Sequence, residues 1–147
     1  RQIAPFADPD VQMVRAAYRR TFEGKPAGGG RVTELTAKPL LRHFFPELNG
    51  INQPLGGEYA VRREAAVQVP FVAGYGVESG LLIDFARRFG ADAIAQAQLA
   101  PRVHRNRPLS QLTQMADVVS GTILARALER PLEDFDLSER PPLATLA

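Results

Sequence analysis

The clearest pattern of apolar and polar residues predicts one α-helix in the middle of the chain. Apolar side chains recur there at spacings of three and four residues, as on the buried face of a helix. They are Leu81, Leu82, Phe85 and Phe89. Gly90 follows the last of them, where a glycine favours the end of a helix. The pattern therefore predicts a helix over Val77–Phe89, with Glu78 in its first turn on the apolar stripe.

Shorter apolar runs predict the strands. Met13–Arg19 and Asp92–Leu99 have the composition of strands. A third, short strand is expected within residues 51–59, where Pro54 and Gly56-Gly57 interrupt it.

Three further helices are expected where the pattern is less regular. The first spans Glu34–Phe45 and starts near Thr36, because Pro39 is tolerated only in a first turn. Its buried face would hold Leu35, Leu40, Leu41 and Phe44. A short helix is expected over Glu58–Val67. The last helix has Ser110 as its N-cap and runs to about residue 129.

Glycine, proline and charged residues mark the segments between these elements. Residues 23–30 and 70–76 are rich in glycine, and residues 101–108 form a basic loop. Three prolines after Arg130 predict an irregular tail over residues 131–147.

The composition is that of a globular domain and excludes several kinds of site. The chain has 147 residues, 45% of them hydrophobic and 23% charged, which suits one domain. It has no cysteine, so disulfides, thiolate nucleophiles and cysteine metal sites are excluded. No apolar run approaches the roughly 20 residues that span a bilayer, and no leader pattern opens the sequence. We therefore expect a cytoplasmic protein without a membrane partner.

The basic residues are almost all arginines, which favour bidentate contacts to phosphate and carboxylate. Among the 18 basic residues only Lys25 and Lys38 are lysines. Five of the 16 acidic residues lie in residues 129–147 against two arginines, which leaves residues 1–128 with a net charge of +5. A modest positive field suits small phosphorylated ligands and also RNA, so charge leaves both open.

The segment Gly28-Gly-Gly-Arg-Val-Thr33 leads into a predicted helix and is a candidate anion site. Glycines let a backbone approach a ligand closely. The free N–H groups of a helix start, together with Arg31, can bind a phosphate or carboxylate. A flexible surface loop with Thr33 as a cap has the same pattern, and the residues alone favour that loop.

Glu78 is the second candidate, because a carboxylate on an apolar stripe is uncommon and needs a partner when it is buried. The loop Gly74-Tyr75-Gly76 before it would leave an open approach. An acid at a helix N-terminus also has an ordinary role in countering the helix dipole. The two interpretations have equal weight.

Two further segments are candidates. In an extended Arg102-Val-His-Arg-Asn-Arg107, the side chains of Arg102, His104 and Asn106 would lie on one side. A histidine can bind a divalent metal there beside an arginine that neutralises phosphate, although a solvated basic loop is the favoured interpretation of these residues alone. The glycines of Gln53–Ala60 could bring backbone to a ligand, but a plain turn is favoured slightly.

Ten short segments occur in an order and spacing that resemble one family. They are Gly30-Arg-Val-Thr-Glu-Leu35, Pro39-Leu-Leu41, Gln53-Pro-Leu55, Gly57-Glu-Tyr-Ala60, Arg62-Arg-Glu64, Pro70-Phe71, Gly74-Tyr-Gly-Val-Glu78, Gly80-Leu-Leu-Ile-Asp84, Asp92-Ala-Ile-Ala-Gln96 and Arg102-Val-His-Arg-Asn-Arg-Pro-Leu109. The family is that of the glucosyl-3-phosphoglycerate synthases and their mannosyl relatives, which are retaining glycosyltransferases of the GT-A type. The resemblance covers residues 18–109 and implies an α/β fold, the C-terminal, acceptor-side half of a GT-A domain with a mixed sheet and helices.

The resemblance also implies an activity and residue roles. Glucose would pass from UDP-glucose to 3-phosphoglycerate with retention. The acceptor would contact Gly30, Arg31, Val32, Thr33, Tyr75 and Asn106. The donor would contact Leu55, Glu78 and Arg102, of which Glu78 and Arg102 would be catalytic. His104 would bind Mg²⁺ or Mn²⁺. Arg102 and the metal would stabilise the charge that grows on the diphosphate leaving group, and Glu78 would orient or stabilise an oxocarbenium-like sugar.

The largest departure from the family is the lack of its Asp-x-Asp metal motif. Asp8-Pro-Asp10 stands in a different context and is interpreted as a loop. We expect the motif and most of the nucleoside pocket upstream of Arg1, in an N-terminal half of the same enzyme. Residues 1–109 would then be the acceptor and metal-binding part of the catalytic domain, residues 110–130 a C-terminal helix and residues 131–147 the tail.

Three alternatives stay open. A mannosyl-3-phosphoglycerate synthase that uses GDP-mannose fits the same segments. A noncatalytic module for RNA or another polyanion fits the arginines, although the basic segments lack the aromatic residues that stack on single strands, and we expect no nucleic-acid partner. A homodimer is expected as well, and an apolar stripe on the last helix would serve either a dimer interface or the core. It comprises Leu112, Met115, Val119 and Ile123.

Overall fold

The computed structural model describes residues 2–22, 25–27, 30–103 and 107–146. The strands in this part of the chain are Met13–Ala17 (β1), Arg20–Phe22 (β2), Lys25–Ala27 (β3), Tyr59–Val61 (β4), Phe71–Val72 (β5), Ile94–Gln98 (β6), Arg102–Val103 (β7) and Glu139–Arg140 (β8). The α-helices are Lys38–Phe44 (α1), Arg63–Ala66 (α2), Val77–Phe89 (α3) and Leu109–Ala127 (α4). No helix of these residues is both long and apolar enough to cross a membrane.

The central sheet is mixed and has β1 in its middle. β4 pairs with β1 antiparallel, and β6 pairs with it parallel on the other side. All five residues of β1 are buried, as expected for a strand with neighbours on both edges and cover on both faces. A second sheet joins β3, β2 and β7, and a two-stranded sheet joins β5 and β8. The mixed sheet with helices confirms the expected α/β class.

α3 supplies much of the core, and its predicted bounds are confirmed at both ends. Leu81, Leu82 and Phe85 are at most 1% exposed. Gly90 ends the helix with a φ of 92°, a conformation that side chains with a Cβ rarely adopt.

α4 packs into the same core through the stripe that the sequence left open. Val119 and Ile123 are buried, and Leu112 and Met115 pack against the same cluster. The stripe therefore packs against the core.

The helix around Pro39 starts earlier than predicted. A five-residue π-helical segment, Thr33–Ala37, runs directly into α1, and the N–H of Lys38 donates to the carbonyl of Thr33. This wider turn accommodates the proline, which has no N–H to donate, inside a continuous helix. The predicted buried face is also wrong in part, because Leu35 is 75% and Phe44 42% exposed.

Two other predicted elements differ from the structure. Residues 51–58 are irregular and do not form a strand. In place of the expected helix over Glu58–Val67, the chain forms strand β4 and then the single turn of α2. α4 begins at Leu109 after Pro108, without a side-chain cap, so Ser110 lies inside the helix and is not its N-cap.

The tail is more regular than its prolines suggest. β8 pairs antiparallel with β5, Phe71 opposite Arg140 and Val72 opposite Glu139. The N–H of Ala144 donates to the carbonyl of Val67 at 2.8 Å. The tail is therefore tied to the region just before α3.

A partly buried ion cluster joins α3, α4 and β8. Arg126 donates from Nε and Nη2 to the two carboxylate oxygens of Asp84, at 2.9 and 3.1 Å, and also to Glu139. The side chains of Arg126 and Asp84 are only 14% and 12% exposed. Burial raises the pKa of Asp84, and the contact with Arg126 opposes that rise.

We expect Arg126→Met to lower the free energy of unfolding by about 3 kcal/mol, because it leaves the carboxylate of Asp84 buried without its partner. The double variant Asp84→Leu/Arg126→Met should recover most of this loss, since apolar side chains can replace a buried ion pair. Chemical denaturation of the three proteins measures both effects. A double variant no more stable than the single one would contradict this account of the cluster.

Candidate active site

A buried arginine lies in the middle of the central strand. Arg15 is 0% exposed. Its Nη2 donates to the carbonyl oxygens of Gln53, Pro54 and Gly56 at 3.1, 2.8 and 3.1 Å. Its guanidinium also lies over the ring of Tyr59, 5.0 Å from the centroid. Burial lowers the pKa of Arg15 to about 10, so the side chain is still protonated at neutral pH.

The three carbonyls belong to one tight turn. The N–H of Gly56 donates to the carbonyl of Gln53 at 3.0 Å, which closes residues 53–56 into a turn with Leu55 at its third position. Nε2 of Gln53 donates to the carbonyl of Tyr18 at 3.2 Å, so the turn is also held to the end of β1. A Cβ at Gly56 would lie 3.2 Å from two atoms of Gln53, tighter than side chains normally pack.

Glu78 lies beside this turn, half-buried in the first turn of α3. A Cβ built on Gly57 would be 4.0 Å from its Oε1. Burial raises the pKa of Glu78, and its own backbone N–H and the positive charge of Arg15 oppose that rise. The carboxylate is therefore partly desolvated and electrostatically coupled to the buried arginine.

Arg102 lies at the start of β7, where it forms a bidentate pair with Glu58. Nε and Nη2 donate to the two carboxylate oxygens, both at 2.9 Å. Both side chains are about two-fifths exposed, at 41% and 42%. The hydrogen bonds from Arg102 lower the pKa of Glu58. The guanidinium lies 5.9 Å from the ring centroid of Tyr18, the residue whose carbonyl accepts the hydrogen bond from Gln53.

The glycine-rich segment meets the basic segment at Arg31. Nη2 of this exposed side chain donates to the carbonyl of Arg107 at 2.8 Å. Gly30 is buried, and its carbonyl accepts the N–H of Glu34 at 2.9 Å, as at the start of a helix. Val32 and Thr33, which follow Arg31 in the chain, are buried. Arg31 therefore stands at a helix N-terminus with its charge toward solvent.

The structure places most of the predicted residues that it describes in two groups. Leu55 lies in the turn that Arg15 holds, Glu78 lies beside that turn, and Arg102 pairs with Glu58 shortly after it. Arg31, with Val32 and Thr33, forms the second group, linked to residue 107. Tyr75 is 45% exposed in the short turn that precedes α3.

Two predicted residues, His104 and Asn106, lie outside the described residues. Among the residues that are described, no three histidine, aspartate or glutamate side chains come together as a possible metal site.

Sequence reasoning missed the residues that hold the site together. Arg15 stands within the apolar run Met13–Ala17, and a charge there is uncommon enough to have marked it. Glu58 could not have been paired with Arg102 from the sequence, since 44 residues separate them.

Known proteins resemble this chain in both sequence and fold. Glucosyl-3-phosphoglycerate synthase from Mycolicibacterium smegmatis is 46% identical to this chain over an alignment of 158 residues. The alignment covers 92% of this chain and 52% of that protein. The chain is a homologue of one half of the glucosyl-3-phosphoglycerate synthases. It spans about half the length of this relative, and no family model matches it.

Solved structures agree with the match to the synthases. The glucosyl-3-phosphoglycerate synthase from Mycobacterium tuberculosis, in complex with Mn²⁺, UDP-glucose and phosphoglyceric acid, superposes with a TM-score of 0.82 at 39% identity. The superposition covers 99% of this chain and 54% of that one. Mannosyl-3-phosphoglycerate synthase from Rubrobacter xylanophilus superposes with a TM-score of 0.86 at 35% identity, over 99% of this chain and 56% of its own. The resemblance and the GT-A half predicted from the ten segments are both confirmed.

We expect Glu78→Gln to raise the unfolding temperature at neutral pH. Because burial raises the pKa of this carboxyl above 4.5, ionising it in the folded chain costs stability, and glutamine removes that cost. Well below the ordinary pKa the carboxyl is protonated in the folded and unfolded chains alike, so the difference should vanish there.

Thermal unfolding between about pH 3 and pH 8 measures this difference. The matched control is Glu64→Gln, which changes an exposed carboxylate on α2. A Glu78→Gln protein that melts below the parent at pH 7 would show that the ionised carboxylate stabilises the fold.

Proposed function

We propose that the protein containing this chain transfers glucose from UDP-glucose to 3-phosphoglycerate with retention, giving glucosyl-3-phosphoglycerate. The observation that supports this most is the superposition of nearly the whole chain on a synthase that holds Mn²⁺, UDP-glucose and phosphoglyceric acid. The placement of Leu55, Glu78 and Arg102 in or near one turn agrees with a donor site. Residues 1–109 would provide the acceptor and metal side of the catalytic domain, with residues 110–130 and 131–147 packed behind it.

At the donor, Arg102 would bind the diphosphate and Glu78 would face the sugar. Negative charge grows on the diphosphate as the glycosidic bond breaks, and a fixed guanidinium stabilises it. The anomeric carbon becomes cationic at the same time, so a nearby carboxylate can stabilise or orient it. Arg102 pairs with Glu58 in this structure, and a diphosphate would replace that carboxylate.

The acceptor would bind at the N-terminus of the helix that starts beside Gly30. Arg31, Thr33 and the helix N–H groups suit a dianionic phosphate or a carboxylate. Val32, Tyr75 and Asn106 would complete the pocket. The contact between Arg31 and the carbonyl of Arg107 places this group next to the segment that contains Asn106.

The proposed metal is Mg²⁺ or Mn²⁺, with His104 as one ligand. When bound, it would neutralise charge on the diphosphate. Since the described residues contain no three-ligand cluster, the other ligands would come from the region of the relatives that this chain does not match. That region would also read the nucleotide base.

The cellular setting is part of the proposal. Absence of cysteine suits the reducing cytoplasm. A homodimer would need an apolar surface other than the stripe on α4, which faces the core. The tail offers Leu143 and Leu146, which are 63% and 65% exposed.

A mannosyl-3-phosphoglycerate synthase is the second candidate, supported by the likeness to the Rubrobacter xylanophilus enzyme. It would use GDP-mannose with the same site. A noncatalytic polyanion-binding module is the remaining candidate, and it would bind RNA with a steep dependence on salt.

A transfer assay tests the function. A protein with this chain and the donor-side half of its relatives should form glucosyl-3-phosphoglycerate from UDP-glucose, and EDTA should stop the reaction. We expect Arg31→Ala to raise the KM for 3-phosphoglycerate at least about tenfold, since it removes a charge-assisted hydrogen bond, with little change in the KM for UDP-glucose.

Arg88→Ala is the matched control, because Arg88 is exposed near the C-terminal end of α3 and donates to the side chain of Gln68. A product with GDP-mannose alone would change the donor. The proposal fails if a folded protein yields no product with either donor. Equal effects of Arg31→Ala on both KM values would rule out its acceptor role.

We expect Glu58→Gln to tighten the binding of UDP about two- to fivefold, because the diphosphate no longer displaces a carboxylate from Arg102. Isothermal titration with the complete protein, with Mn²⁺ present, measures the affinity. Glu47→Gln, an exposed carboxylate after α1, is the control. Weaker binding of UDP by Glu58→Gln would mean that Glu58 holds Arg102 in its binding position instead of competing for it.

A further inference from the structure

We propose that Arg15 is a positioning residue for the transfer reaction: from the core it fixes the turn at residues 53–56, so that the backbone at Leu55 faces the donor beside Glu78. The inference rests on the proposed function for the donor, but its structural part can be tested separately. Arg15 touches no ligand in this account, since it is fully buried, and it acts only through the turn.

Arg15 orients the carbonyls of the turn at residues 53–56. Three of the four carbonyls in residues 53–56 point at one nitrogen of Arg15, within 3.1 Å. Leu55 has the fourth, and no described residue donates a hydrogen bond to it. The arginine thus turns three carbonyls inward and leaves that of Leu55 as the one available to a ligand.

Simple packing does not account for a charged side chain at Arg15. Moving a guanidinium from water into a core is costly unless dipoles or counter-charges surround it. Nε and Nη1 of Arg15 are buried without a hydrogen-bond partner among the described residues. A methionine could fill similar space without this cost. What the guanidinium adds is the hold on the turn and a positive charge close to Glu78.

The charge of Arg15 also acts on Glu78. It does so from the strand side, and the guanidinium of Arg15 lies over the ring of Tyr59 on β4. Gly57, directly after the turn, adjoins the carboxylate of Glu78. A shift of the turn would therefore move the Leu55 backbone and the surroundings of Glu78 together. Misplacement of reacting groups by about 1 Å can slow a reaction about a hundredfold.

The test compares Arg15→Met, Arg15→Lys and the surface control Arg88→Met in the complete protein. We expect Arg15→Met to lower kcat at least about tenfold while the KM for 3-phosphoglycerate stays within about twofold. Arg15→Lys keeps the charge and up to three donors, so it should recover part of kcat. Arg88→Met should match the parent.

Hydrogen exchange gives a readout that does not need activity. In Arg15→Met the amide of Gly56, which closes the turn, should exchange at least about tenfold faster than in Arg88→Met. Unchanged exchange at Gly56 overturns the proposal, whether or not transfer is observed. If the parent makes no product, the proposed function fails, and the exchange rates alone decide whether Arg15 fixes the turn.

A purely structural Arg15 predicts a different result. Arg15→Met would then unfold at lower temperature, but its folded fraction would turn over with the kcat of the parent, and that outcome overturns the proposal. If Arg15→Met does not fold, Arg15→Lys decides: a kcat reduced at least about threefold with an unchanged acceptor KM supports positioning, and the kcat of the parent refutes it.

Discussion

A charge in the core dictates the arrangement of this site. The guanidinium of Arg15 has lost its water, and protein groups must replace it. Carbonyl dipoles from residues 53–56, the ring face of Tyr59 and the carboxylate of Glu78 are the groups that do so. Each comes from a different element, so solvating one arginine forces the loop before β4 and the N-terminus of α3 to meet over β1. The site is built where those elements meet.

The polar contacts of the site divide into fixed and exchangeable ones. Arg15 cannot leave its carbonyls, because the alternative is an unsatisfied charge in the core. Arg102 and Glu58 are about two-fifths exposed, and ion pairs at that exposure are weak and easily replaced by water or by another anion. Arg31 is exposed as well and donates to the backbone carbonyl of Arg107. Buried contacts set the shape of the site, and the two arginines at its surface remain able to exchange partners with a ligand.

The sequence predicts those elements whose causes are local. α3 followed from its own apolar period and from Gly90, and β1 and β6 from short apolar runs. Predictions failed where the cause lies far away in the chain. The turn at residues 53–56 depends on an arginine 38 to 41 residues earlier, and β8 pairs with a strand 67 to 69 positions before it. The start of the helix around Pro39 was predicted wrongly for another reason, since a π-helical segment can accommodate a proline that an α-helix would not. For the site residues, the sequence indicated the residue types, such as an arginine next to glycines, but not the partners that they contact.

Glu78 illustrates how stability and chemistry oppose each other here. The neighbours that shield it from water also raise the pKa of its carboxyl, so the ionised form that could stabilise a cationic sugar is the one the fold disfavours. Two features limit this cost: the N–H group at the start of α3 and the charge of Arg15. Arg15 therefore has two effects that are linked, since the same desolvation that makes its charge effective at Glu78 also makes its hold on the turn strong. A more exposed arginine would be screened by water and would do neither as well.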